Sequence, residues 1–160
     1  DPSAYLGNAA MPMLWINGTN DFAYTMPGWQ KSYRTPVGPR TLSMRIRMPH
    51  GHIEGEVPEE IHAFANQILR GETPLCRVTG QGRAGQRVWA TFEAQSPITK
   101  AELCATISTG PWTERQWDPY PAVLQDGRAE TTLPDGTTCY FLALTDERGL
   151  IVSTEPEEPR

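Results

Sequence analysis

One carboxylate and two imidazoles hold the most reactive potential in this chain. Asp21 follows an apolar run and an Asn17-Gly18 break in "MPMLWINGTNDF", and His50 and His52 lie downstream in "RMPHGHIEGE". A carboxylate beside an imidazole fixes its tautomer, orients the ring and stabilises the imidazolium formed when the ring takes a proton. That is the chemistry of a general base and its orienting acid. The same segment offers a rival reading. In an extended conformation His50, His52 and Glu54 project to one side, as metal ligands can. Asp21 also fits a plain turn or capping role after Asn20. His62 falls off the apolar stripe of its predicted helix and is expected at the surface.

The elements that must position these groups can be read from periodicity. Residues 12–17 are an all-apolar run of the kind buried inside a parallel sheet. "TMPGWQKSYR" predicts a short helix with Pro27 near its start. Residues 41–48 alternate, with Leu42, Met44, Ile46 and Met48 on one face and Ser43, Arg45 and Arg47 on a wet one. "VPEEIHAFANQILRG" predicts a helix. Pro58, Glu59 and Glu60 suit its first turn, Ile61, Phe64, Ala65, Ile68 and Leu69 form its stripe, and Gly71 closes it. Strand, helix, strand, helix is α/β logic. Loops after neighbouring parallel strands emerge at one edge, and such strands lie about 5 Å apart, so Asp21 and a histidine can meet.

Beyond "GETP" the helical period ends. Seven short strands follow at 75–80, 86–93, 99–108, 115–124, 128–133, 137–145 and 149–154, separated by turn signals, which is the pattern of a β-sandwich. The expected division is 1–72 and 73–160. Trp89 is expected between the two sheets. Trp112, Trp117 and Tyr120 either fill that core or offer a surface that stacks on sugar rings.

Composition sets limits. The chain has 160 residues, 38% hydrophobic and 21% charged, with a formal net charge of −5. It lacks the basic face of a nucleic-acid binder and any run long enough for a membrane helix. Cys76, Cys104 and Cys139 form no C-x-x-C pair, so buried thiols are expected, with a Cys104–Cys139 disulfide as the alternative. The first residues, "DPSAYL", carry no leader and no initiator methionine, and the expectation is a piece of a longer chain.

Three motifs, "MLWINGTND", "MRIRMPHGH" and "PEEIHAFANQIL", resemble in their order the C-terminal third of an α/β-hydrolase, in the branch of dienelactone hydrolases, acetyl-xylan esterases and prolyl-oligopeptidase-like enzymes. "LPDGTTCYFLALTDERGLIVSTE" resembles the last strands of a fibronectin type III or Ig-like sandwich. The resemblance implies α/β plus all-β, a partial hydrolase sheet followed by a seven-stranded Ig-like sandwich. It implies Asp21 as triad acid and His52, directly after Gly51, as base, with His50 as the alternative. It implies a carboxylic-ester or carbohydrate-ester substrate, no cofactor, and a secreted or periplasmic location. No serine or cysteine here sits in a G-x-S-x-G elbow. The nucleophile is therefore expected in a missing N-terminal segment, and either that segment or self-association should cover the open sheet. The alternative is a non-catalytic carbohydrate- or protein-binding module with a degenerate hydrolase half.

Overall fold

The computed structural model describes residues 3–159. In chain order the elements are α1 (Ser3–Leu6), β1 (Met13–Gly18), α2 (Met26–Arg34), β2 (Arg40–Arg45), α3 (His52–Glu56), α4 (Glu60–Arg70), β3 (Arg77–Ala84), β4 (Arg87–Glu93), β5 (Ile98–Thr106), β6 (Asp118–Pro121), β7 (Val123–Gln125), β8 (Arg128–Thr132), β9 (Cys139–Asp146) and β10 (Ile151–Ser153), with a 3-10 turn at Trp112–Glu114. β1 and β2 form a two-stranded parallel sheet, while β10-β9-β5-β6 and β3-β4-β8-β7 are four-stranded sheets with antiparallel pairing throughout.

The expected α/β-hydrolase sheet with an Ig-like sandwich attached is therefore corrected. Strand makes up 38% and helix 20%, so the chain is mainly β. Among the described residues, parallel pairing is confined to β1 and β2. A strand-helix-strand-helix pattern does not state how many strands share the sheet. Here the far edge of β2 is closed by side chains from β10. Met44 N–H donates to Ser153 Oγ at 3.0 Å. The sandwich also has eight strands where seven were expected. The stretch 115–124 breaks at Ala122 into β6 and β7, which pair in different sheets.

β9 organises the packing. Its alternate residues face opposite ways, and both faces are covered. Tyr140 and Leu142 meet Val88, Ala90, Leu103 and Ala105 between the two sheets. Cys139, Phe141 and Ala143 meet Met26, Trp29 and Tyr33 of α2 and Leu42 and Met44 of β2. Residues 71–76, around the expected division at 72/73, carry no regular secondary structure, and this second core joins residues from both sides of it. Trp89 lies outside the sandwich, not within it. With Val88 and Ala90 pointing inward, its ring covers Gly80 and Gly82, where a Cβ on Gly82 would come within 2.6 Å of the indole. Arg128 stacks above it at 4.5 Å. All three thiols are free and buried. Burial pushes each of them up to about 12, aided by neighbouring carboxylates.

The outer side of the β1–β2 ribbon is not wet as the alternation suggested. Ser43 is fully buried, and Arg45 donates to Glu60 Oε2 of α4 at 2.5 Å. Glu60 Oε1 accepts from Ile151 N–H at 2.6 Å. One buried carboxylate thus ties α4, β2 and β10 together. The stripe of α4 is only partly used. Phe64 packs on the core beside Leu75 and Leu144, but Ile61, Ile68 and Leu69 stay exposed.

Candidate active site

The site is built at the carboxyl ends of β1 and β2. The approach is close because residue 18 is glycine. A Cβ there would stand 1.8 Å from the Met48 carbonyl oxygen. Thr19 continues the parallel ladder through its N–H to Arg45 O at 3.0 Å. Its hydroxyl accepts from Arg47 N–H at 2.9 Å, where the chain turns at a positive φ of 59°. Asn20 is tied across the molecule, its amide donating to the carbonyls of Thr113 and Arg115. The two loops are thus fixed to each other and to the sandwich.

Asp21 is buried, and each oxygen of its carboxylate has work. Oδ1 accepts from the N–H groups of Ala23 and Tyr24 at 2.7 and 2.8 Å. Oδ2 lies 3.0 Å from His50 Nδ1. A carboxylate only accepts, so Nδ1 is the donor in this contact, and in a neutral ring Nε2 would keep its lone pair. The side chain of Asp21 is 7% exposed and that of His50 37%. The acid is shielded, and part of the imidazole reaches solvent. Asp21 does form the local turn that was its alternative role. The same carboxylate does both jobs, one oxygen to each.

The partner is His50, not His52. His52 opens α3 behind Gly51 and is exposed; among the described residues it makes no bond to Asp21. The metal reading needed an extended segment, but 52–56 is helical. No group of three His, Cys, Asp or Glu that could hold a metal occurs among the described residues. His62 is exposed on α4. Two ring residues went unnoticed in the sequence. Phe22 lies edge-on to His50 at 5.0 Å, and Tyr24 is tilted against it at 5.5 Å. Asn17 also went unnoticed. Its amide donates to Tyr24 O at 2.7 Å and holds the turn closed. Their position in the turn beside the acid was the available clue.

Chemically, the pair can take a proton at Nε2 and hold the resulting imidazolium against a shielded carboxylate. Among the described residues no hydroxyl or thiol hydrogen-bonds the ring, whose one hydrogen bond is at Nδ1. No family model and no curated protein matches the sequence.

Proposed function

We propose that Asp21 and His50 are the orienting acid and general base of a serine hydrolase, a carboxylic-ester esterase of the acetyl-xylan type, whose nucleophilic serine is carried outside this sequence. The carrying observation is the 3.0 Å contact from Asp21 Oδ2 to His50 Nδ1, made by a carboxylate whose other oxygen is pinned by two backbone N–H groups. In this reading His50 Nε2 deprotonates the incoming serine and then protonates the leaving group, while Asp21 keeps the ring in one tautomer. His52 has no part in it.

The partner is the segment bearing that serine, seated on the open side of the β1–β2 ribbon. Two features support this. Among the described residues, β1 pairs on one side only, with β2. An apolar recess of about 560 Å³ lies along it, lined by Met13, Leu14, Trp15, Ile16, Ile61 and Phe64 among others. A half-exposed apolar surface of this kind marks an interaction site. Among the described residues no helix is long and apolar enough to cross a membrane.

The test is to express the complete reading frame and assay hydrolysis of p-nitrophenyl acetate. His50→Gln is expected to lower kcat by at least the 10²- to 10⁴-fold typical of a lost general base, on the order of magnitude of such losses. Asp21→Asn should lower it by about 10⁴, and His52→Gln should leave it within about twofold. Full activity in His50→Gln would end the proposal.

A further inference from the structure

We propose that Phe22 and Tyr24 are positioning residues for His50, holding the plane of its ring so that Nδ1 stays on Asp21 and Nε2 faces outward. This rests on the Asp21–His50 pair described above and adds what fixes the rest of the ring.

One hydrogen bond at Nδ1 restrains one atom of an imidazole. It does not stop the ring from swinging about that atom or from exchanging its nitrogens by rotation. His50 lies on a loop, and among the described residues that bond is its only one. The remaining restraint comes from two rings. Phe22 meets the imidazole at 72° with centroids 5.0 Å apart, and Tyr24 does so at 57° and 5.5 Å. The Phe22 contact is the favoured edge-to-face geometry, and the tilted Tyr24 contact lies in the same range of separation.

Phe22 is 69% exposed and Tyr24 64% exposed, so neither ring is needed to fill a core. Their placement is set by the acid itself. Asp21 Oδ1 gathers the Ala23 and Tyr24 N–H groups, and Asn17 secures Tyr24 O. The turn that presents the carboxylate therefore also delivers the two rings to the imidazole, and the orientation of His50 is a property of the whole 21–24 turn.

The experiment compares the chain with its Phe22→Ala/Tyr24→Ala variant, using long-range proton–nitrogen correlation to measure the two neutral tautomers of His50. The native chain should show mainly the Nδ1–H form. The double variant should lower the ratio of Nδ1–H to Nε2–H by at least about fivefold, the scale of two lost aromatic contacts. Phe22→Tyr, which keeps a ring, should retain the native ratio. Circular dichroism is expected to be unchanged, because both rings lie at the surface. A double variant that keeps the native ratio within twofold overturns the positioning role while leaving the Asp21–His50 pair intact. A native chain without Nδ1–H preference overturns the pair and this inference with it.

Discussion

Asp21 is the residue on which the site's stability and its chemistry can be separated. Asp21→Asn keeps an oxygen for the Ala23 and Tyr24 N–H groups, so it should preserve the turn while losing the carboxylate that faces Nδ1. Asp21→Ala takes the charged acceptor from two part-buried N–H groups and should cost about 1–3 kcal/mol, read from the urea midpoint. The thiols make a second residue-scale prediction. With Cys76, Cys104 and Cys139 buried and pushed up to about 12, a disulfide-exchange reagent at neutral pH should label none of them in the folded chain and all of them in denaturant. The acid and a histidine partner could be read from their order along the chain. Which histidine it was could not. That depends on where the loop ends and α3 begins, and α3 starts at His52 itself, whose side chain is exposed.

Two elements meet at Gly18, and the meeting is tight enough to break. Gly18→Ala would set a Cβ against the Met48 carbonyl, pushing away the loop that carries His50. The expected cost is about 1–3 kcal/mol, together with loss of the Asp21–His50 contact, followed by the urea midpoint and the His50 nitrogen signals. Glu60 does the same work for α4. Its fully buried side chain pairs with an Arg45 that keeps some exposure and accepts from Ile151. Glu60→Ala should therefore cost about 3 kcal/mol, at the low end for a broken buried pair. The helix and both ribbon strands were legible from periodicity. Of the wet face expected at Ser43, Arg45 and Arg47, Arg47 is exposed but Ser43 and Arg45 are not, because an alternating pattern cannot show that a carboxylate of the next helix will come to meet Arg45. Trp89 was misplaced for a related reason. Only cross-strand register puts it over Gly82.

At the scale of the molecule, the N-terminal ribbon and the sandwich are bolted by Glu155. It bridges Arg34 and Arg40 at 2.7 and 2.6 Å and accepts from the Tyr33 hydroxyl. Burial raises this carboxyl, but hydrogen bonds from the two arginines outweigh it and hold it below its ordinary 4.5. Such a group stabilises the fold fully above its unfolded pKa, and that share is lost as pH falls through the lower folded value. Stability should thus fall as pH drops below about 4.5. Glu155→Gln should flatten that decline, as urea midpoints across the acid range would show. The succession of short strands after residue 75 was visible in the turn spacing. The shared core was not, since it gathers residues far apart in the chain, such as Trp29 and Phe141. β9, covered on both faces by residues from both halves, has no route to solvent short of the whole molecule opening. Its amide protons should be the last to exchange with deuterium, and their rate would serve as a built-in gauge of global unfolding for every variant named above.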